Sequence, residues 1–417
     1  MRSMHYLSTS LLAAFALAGN ANAQEAKPAP ATTTAAPPVG LCQAGISKEA
    51  RNALVALQTA VLAKNPADIA LKLAAAQPLA KTPDDRCFIA LMQVQAAVDS
   101  NNLAAVAPGL EAQLASGLVP TTRVAALFEN LGKLHYQKGE YAPASAALER
   151  SLAIEAGRPG ATIMLAETRI KQNRAADAFA LYSKAIALEK AAGRAPDQNW
   201  YRRALSVAND ARSPLALGFA RDLVAAYPTA QNWGDAVRVY RSLSSVEGDA
   251  LIDLYRLQRQ TKSLSGESEF GRFAQVLIAK GFPGEAKAIL EEGFAAGKVD
   301  RNLPSIKSIH ALATSKAAGD RAGLDGQAKA AVANPSAKAA MALGEAYFGY
   351  GDYAKALEMF RAAQGKAGVD AELANLRIGM ALAASGDKAG AKTALAAVKG
   401  PRADIAQYWA AYAASRP

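Results

Sequence analysis

Apolar side chains recur every three or four residues along most of this chain, from Leu41 onward. Short breaks of Gly, Pro, Asn and Asp interrupt the pattern, and no stretch alternates convincingly with a period of two. The first period is typical of amphipathic helices and the second of half-buried strands. Alanine, the strongest helix former, makes up roughly a quarter of the residues. The pattern therefore predicts an all-α protein whose helices come in pairs.

The composition limits what such a chain can do. Of its 417 residues 51% are hydrophobic, which excludes a disordered protein and is ample for a large core. The 3 His and 2 Cys leave little material for a metal site. The formal net charge is +11, and it would fall to about +10 if a leader containing Arg2 were removed.

The first 23 residues have the features of an export signal. Arg2 and His5 precede an apolar run at 11–18, and Ala21-Asn22-Ala23 follows it. An ordinary first helix and a membrane anchor are the alternatives, but the run is well short of the ~20 residues that span a bilayer. We expect cleavage after Ala23 and a periplasmic or secreted product that begins at Gln24. No later stretch is apolar for long enough to cross a membrane.

Residues 24–40 carry four prolines among small side chains. Such a segment cannot bury enough surface to fold, and it favours extended polyproline conformations. It is either a disordered tether between the cleavage site and the folded part or simply a ragged terminus.

Cys42 and Cys87 are the only thiols, and they are 45 positions apart. This spacing does not fit a redox or zinc motif. In an oxidising compartment a structural disulfide is favoured over two buried free thiols. Closing that loop would stabilise the fold by about 4 kcal/mol on the chain-entropy account.

Self-similarity becomes clear when residues 127–154 are compared with residues 342–363. Both stretches contain an aromatic side chain, then a turn of Gly, an acidic residue and Tyr, and then Ala followed four positions later by a large apolar residue. This resembles the tetratricopeptide repeat (TPR), a 34-residue helix-turn-helix unit. The clearest repeats are predicted at 125–158, 159–192, 337–370 and 372–401, within a repeat domain at 119–417. Residues 41–118 are expected to form helical hairpins with degenerate repeats.

Small and large residues fall at fixed places in these frames. Position 8 is occupied by Gly132, Ala166, Ala204, Ala274, Gly344 and Gly379, and position 24 by Leu148, Tyr182, Ala220, Leu290, Phe360 and Leu395. We expect the small residues at 8 and 20 to let the two helices of a pair approach to ~8–10 Å, and the residue at 24 to fill the space between pairs. Residues 249–260 are out of step with the frame, 298–334 resemble a degenerate pair, and a last helix is expected at 404–415 with Asp404 as its cap.

The resemblance implies a right-handed superhelical solenoid of antiparallel helix pairs that holds a protein or peptide in its concave groove. The first helix of each pair lines that groove at positions 2, 5, 9 and 12–13. The candidate groove residues are Glu129, Lys133, Tyr136, Glu167, Lys171, Tyr201, Asn209, Arg238 and Arg241.

A search for catalytic motifs finds no nucleophile elbow, phosphate-binding loop, dinucleotide fingerprint or metal-binding pair. The chain is therefore predicted to be a non-enzymatic scaffold for an envelope protein or peptide, with no cofactor and no nucleic-acid partner. The alternative is a part of polysaccharide or envelope biogenesis or of secretion, in which aromatic side chains stack on glycan and the positive charge contacts an anionic surface weakly. The aromatic candidates are Trp200, Tyr201, Trp233 and Tyr240.

Overall fold

The computed structural model describes Cys42 and residues 45–100, 102–244 and 246–416. The predicted signal peptide (1–23) and tether (24–40) lie outside these residues. The described part of the chain contains twenty α-helices and no β-strand, so the all-α prediction is confirmed. These described residues fall into two compact units, one that ends at Arg174 and one that begins at Ala175.

The first unit consists of consecutive helices joined by short turns, so that neighbours pack antiparallel as α1 with α2, α3 with α4, and α5 with α6. Helices α1 to α4 thus form two hairpins between residues 48 and 115. The helices are α1 (Lys48–Leu62), α2 (Pro66–Ala76), α3 (Pro83–Asp99), α4 (Leu103–Ala115), α5 (Thr121–Gln137), α6 (Tyr141–Ile154) and α7 (Pro159–Lys171).

Asp85 fixes the start of α3 and ties it to the start of α1. Its backbone N–H donates to the Thr82 hydroxyl, and its carboxylate accepts from the Thr82 N–H, which together form a capping box. The same carboxylate accepts from the Ser47 N–H and the Ser47 hydroxyl, both at 2.9 Å. Although burial raises the pKa of Asp85, these hydrogen bonds outweigh it and the pKa is lowered.

A disulfide joins Cys42 to Cys87 across a Cα–Cα distance of 5.5 Å. Both cysteines are buried beside α1 residues such as Leu54 and Leu57. The bond therefore closes the first hairpins next to the hydrogen bonds of Asp85.

The second unit begins at Ala175 and continues the pattern of paired helices. Its helices are α8 (Ala175–Ala191), α9 (Gln198–Asp210), α10 (Leu215–Ala226), α11 (Ala230–Leu243), α12 (Gly248–Gln260), α13 (Gly266–Ala279), α14 (Pro283–Ala295), α15 (Pro304–Ala333), α16 (Ala337–Gly349), α17 (Tyr353–Gln364), α18 (Ala371–Ser385), α19 (Lys388–Ala396) and α20 (Ala403–Ser415).

The small residue at position 8 of a repeat packs directly against the large residue at position 24. A Cβ on Gly344 would stand 2.5 Å from Phe360, and one on Gly379 would stand 2.4 Å from Leu395. Gly132 and Leu148 have the same relation at 2.5 Å. The glycine therefore makes room for the large side chain of its own pair, whereas we expected that side chain to fill the space toward the next pair.

The prediction of a helix pair at 298–334 is wrong. Residues 304–333 form the single 30-residue helix α15. Glycines 319, 323 and 326 lie within it, but Pro is absent after the first turn, and glycine alone costs a helix only about 1 kcal/mol per residue. Packing of α15 on α14 and α16 is thus sufficient to keep it continuous.

The last helix, α20, begins where the sequence predicts but makes more distant contacts. Asp404 does not cap it; instead the carboxylate lies 2.9 Å from Arg221 Nη1 on α10. The hydroxyl of Tyr408 donates to the Leu217 carbonyl of α10. In this unit α20 therefore packs on α10 and α12 as well as on its neighbours α18 and α19.

Candidate interaction surface

Glu129 and Lys133, two of the predicted groove residues on α5, form an ion pair within the first unit. Glu129 is 6% exposed, and its carboxylate lies 2.6 Å from Lys133 Nζ and 2.8 Å from Arg158 Nη2. Burial raises the pKa of Glu129, but the two cations outweigh it and the pKa is lowered. This carboxylate links α5 to the start of α7 and is engaged inside the chain.

The other candidates of the first unit keep part of their surface exposed. Lys133 has a side chain 39% exposed. Tyr136 is half-buried, with its ring edge-on to Tyr141 at 5.7 Å. On α7, Glu167 is half-buried and Lys171 is exposed. These side chains thus keep some solvent-exposed surface on the faces of α5 and α7.

In the second unit Tyr201 is fully buried on α9. Burial, together with Asp222 and Tyr227, raises the pKa of its hydroxyl to about 12. Asn209, near the C-terminal end of the same helix, is half-buried, and its side-chain oxygen accepts from the Ser242 hydroxyl at 3.1 Å. Tyr201 therefore packs inside the unit, while Asn209 links α9 to α11 at the surface.

The aromatic side chains proposed to stack on sugars are mostly inside the protein. Trp233 is 1% exposed and packs edge-on against Tyr412 of α20. Tyr240 is 5% exposed and packs against Tyr408 of the same helix. Trp200 is half-buried. Because α20 covers the α11 rings, they are not free to contact a glycan.

Arg238 and Arg241, by contrast, line a cavity of about 540 Å³ between α11 and α13. Sequence reasoning missed the third arginine of this cavity, Arg272, because it lies at position 6 of its repeat frame and not at a position assigned to the groove. It is exposed on α13, two helices further along the chain than the other two. We call the three guanidinium groups, with the serines beside them, the arginine surface; its members are Arg238, Arg241, Ser242, Ser268 and Arg272.

Helix α12 is buried on all sides. Every residue from Leu251 to Gln258 is buried, including the charged Asp253 and Arg256. A helix with an exposed face would bury only a stripe. The out-of-step segment of the sequence is therefore an internal helix, surrounded by the rest of its unit.

A buried charge network surrounds α12 and comprises Asp253, Arg256, Glu285, Glu345 and Arg377. Arg256 Nη2 lies 2.7 Å from the Glu285 carboxylate on α14, and Arg256 also pairs with Glu345 on α16. Arg377 on α18 pairs with Glu345 as well, and its Nη1 lies 2.6 Å from Asp253. Each guanidinium group thus joins two carboxylates, and four helices meet in one set of ion pairs.

The groove positions of the repeat at 337–370 supply part of this network. Glu345, Phe348 and Gly349 stand at positions 9, 12 and 13 of that frame. Phe348 lies under the Arg256 guanidinium at 4.9 Å, and the Gly349 carbonyl accepts from Arg259 Nη1 at 3.2 Å. The face that the resemblance assigns to a ligand is occupied here by α12 of the same chain.

Helix α20 completes the enclosure of α12. The Trp409 indole donates to the Asp253 carbonyl at 3.3 Å, and the Tyr412 hydroxyl donates to the Gln260 side chain at 3.3 Å. Tyr353 accepts from the same Gln260 amide at 2.6 Å. Sequence reasoning missed this site because its members lie up to 156 positions apart. The one local signal was a set of charged residues that recur every three or four positions among apolar ones, at 249, 253, 256 and 259.

The histidines take part in local contacts. His135 Nδ1 lies 2.5 Å from Glu140, and His310 packs edge-on against Phe294 at 5.4 Å. Within the described ranges no cluster of three or more His, Cys, Asp or Glu side chains is placed to hold a metal ion. None of the helices described is both long and apolar enough to cross a bilayer.

Comparison with known proteins finds similarity only in three dimensions. No protein-family model and no curated protein matches the chain. The crystal structure of a tetratricopeptide repeat protein from Parabacteroides merdae is 13% identical and covers 71% of this chain and 99% of its own, with a TM-score of 0.28. The APC/C hetero-tetramer Cut9–Hcn1 is 14% identical and covers 87% of this chain and 66% of its own, with a TM-score of 0.25. Scores this low decide nothing, so the fold assignment stands on the helices themselves.

Those helices define a helical repeat protein, built of consecutive antiparallel pairs in each unit. Its repeats are TPR-like, because the glycine at position 8 receives the large side chain at position 24 in three separate pairs.

Proposed function

We propose that this protein is an exported, non-enzymatic scaffold that binds a protein or peptide partner in the cell envelope through the inner faces of its repeats. By inner face we mean the side of a first helix that carries positions 2, 5, 9, 12 and 13. The observation that carries the proposal is α12 itself. The chain's own repeats hold a helical segment on these positions, by ion pairs and by aromatic contacts.

The inner face of α16 is occupied by α12, so an external partner would bind elsewhere. In each unit some first helices of the pairs keep exposed polar side chains; α5 and α7 in the first unit and α11 in the second are examples. Lys133, Tyr136 and Lys171 represent the first unit, and Arg238 and Arg241 the second. Peptide grooves commonly combine such cationic and aromatic side chains.

The disulfide supports the export part of the proposal, because such bonds persist in oxidising compartments. The proposal includes the expected signal peptide, which would be cleaved after Ala23 and would direct the chain to the periplasm or out of the cell.

Site-specific photo-crosslinking in living cells tests this function. A photoreactive amino acid at Lys171 or Arg238 should yield a discrete adduct with one protein. The matched control is Arg361, an exposed arginine on α17. Because α17 is the second helix of its pair, Arg361 does not lie on an inner face. Adducts that are absent at all positions, or equally abundant at Arg361, would contradict the proposal.

A further inference from the structure

The arginine surface has a defined floor and walls. Tyr255 of α12 lies beneath the guanidinium of Arg241, which stands 5.0 Å from the centre of the ring. Val246 and Leu251 add apolar lining. The cavity of about 540 Å³ is in the size range of ligand pockets, and it is open to solvent because Arg238 and Arg272 are exposed.

The charges of this cavity are not balanced. Arg238 Nη1 lies 2.7 Å from Asp235, one turn earlier on the same exposed surface. Arg241 is 3.7 Å from Glu269, the only carboxylate in the lining. Arg272 has no ion-pair partner among the described residues. Three guanidinium groups thus face one carboxylate inside the cavity.

The single carboxylate is also engaged elsewhere. Glu269 accepts from the Ser265 N–H at 2.9 Å and from the Gln258 side chain at 3.3 Å. These bonds hold it at the start of α13, and a single carboxylate cannot satisfy the N–H donors of three guanidinium groups. The cavity therefore offers several unused N–H donors in a partly desolvated setting, where ion pairs are less screened than on an open surface.

We propose that the arginine surface binds an acidic segment of a protein partner. This rests on the proposed scaffold function and names the chemistry that the partner must present. Carboxylates of Glu or Asp fit the fork of a guanidinium group with two parallel hydrogen bonds. Ser242 and Ser268 add hydroxyl groups to the lining that can accept hydrogen bonds from a peptide backbone, and Val246 and Leu251 would contact an apolar side chain between two acidic residues.

A protein segment fits this cavity better than the other anions an exported chain would meet. A glycan would be expected to use aromatic platforms, and Tyr255 is already covered by Arg241 and is 1% exposed. A membrane surface would call for a broad cationic face, whereas these three arginines converge on one concave cavity.

The test uses the purified full-length chain and a fluorescent peptide of about ten residues that alternates Glu with Leu. Fluorescence anisotropy should report saturable binding that weakens as salt is raised, since exposed charges are screened beyond ~10 Å at 0.1 M. The variant Arg238→Glu/Arg272→Glu should weaken binding at least tenfold. Both side chains are exposed, so the variant should fold, and circular dichroism and the melting temperature verify it. Arg361→Glu on α17 is the matched control and should leave the affinity unchanged.

The same titration with dextran sulfate and with phosphatidylglycerol vesicles separates the anion sources. Tighter binding of either one than of the peptide, lost in the double variant, would overturn the assignment to a protein segment. Equal peptide binding by the wild type and the double variant would overturn the site. Crosslinking at Lys171 distinguishes the failure of one proposal from the failure of the other. If the peptide titration fails but the Lys171 adduct persists in the double variant, the scaffold function stands and only the arginine surface is wrong. If the wild type gives no adduct, the scaffold function itself is wrong.

Discussion

At the scale of single residues, the glycines at position 8 of the repeats are set by their neighbours. Gly344 has no room for a Cβ because Phe360 lies in its place, while Gly326 in α15 is exposed and has open space around it. The two glycines share a helical backbone and differ only in what faces them. They therefore form a matched pair for measuring the cost of close packing.

We predict that Gly344→Ala destabilises the protein by about 1–2 kcal/mol, because the clash with Phe360 exceeds the gain in helix propensity. Gly326→Ala should stabilise it by up to about 1 kcal/mol, since only the propensity changes. Urea unfolding followed by circular dichroism measures both. Equal effects of the two substitutions would show that position 8 is not constrained by position 24.

Glu345 in the buried charge network gives a prediction about acid. Burial raises its pKa, but Arg377 and Arg256 outweigh burial and lower the pKa from 4.5 to about 2. A carboxyl whose pKa is depressed in the folded state stabilises the protein above its unfolded pKa, and that stability is lost as the pH falls toward the folded value. Asp253 acts in the opposite direction, because burial raises its pKa.

Comparing the wild type with Glu345→Gln isolates this one carboxyl. The difference in unfolding free energy should be largest near neutral pH and should shrink by roughly 3 kcal/mol between pH 4.5 and pH 2. Glu358→Gln, an exposed position on α17, serves as the control and should show a difference below about 0.5 kcal/mol throughout. A Glu345 difference that does not vary with pH would mean that the ion pairs do not hold this carboxylate charged.

At the scale of helices, the sequence predicts what depends on neighbours in the chain. The pairing of α5 with α6 across the turn of Gly, an acidic residue and Tyr follows from local spacing, and it is found. The sequence wrongly predicts two helices where α15 is a single one, because tertiary packing overrides the weak helix-breaking effect of glycine. The arginine surface was found only in part, since its third member comes from another helix and a different repeat position. The enclosure of α12 depends on pairings between distant residues, which local periodicity does not encode.

The first hairpins give a prediction at the same scale. Reduction of the Cys42–Cys87 bond should lower the unfolding free energy by up to about 4 kcal/mol on the chain-entropy account. Urea unfolding with and without dithiothreitol measures the change. The variant Cys42→Ser/Cys87→Ser should be insensitive to the reductant. An unchanged wild-type midpoint would mean that the Asp85 hydrogen bonds and the surrounding core suffice without the covalent link.

At the scale of the whole molecule, the export proposal predicts the mass of the mature chain. Expressed in a Gram-negative host with an intact secretion system, the protein should be recovered from the periplasm beginning at Gln24, as measured by intact-mass spectrometry. Replacing Ala21 and Ala23 with leucine should block processing, because the peptidase requires small side chains there. Recovery of the unprocessed wild-type chain from the cytosol would contradict the localisation and remove the oxidising environment that the disulfide needs.

The enclosure of α12 also has a consequence for how the protein comes into being on the ribosome. Repeats that touch only their neighbours can settle one after another as they emerge. The Arg256–Glu345 ion pair, however, can form only after Glu345 has been translated, 89 residues later. The hydrogen bond between the Trp409 indole and the Asp253 carbonyl needs a residue 156 positions later. Glu285 on α14 can pair with Arg256 earlier, but until the final stretch has been translated the sides of α12 that face α16, α18 and α20 stay uncovered. A nascent chain halted before α16 would therefore be a target for chaperones and proteases, even though the helices ahead of it were already complete.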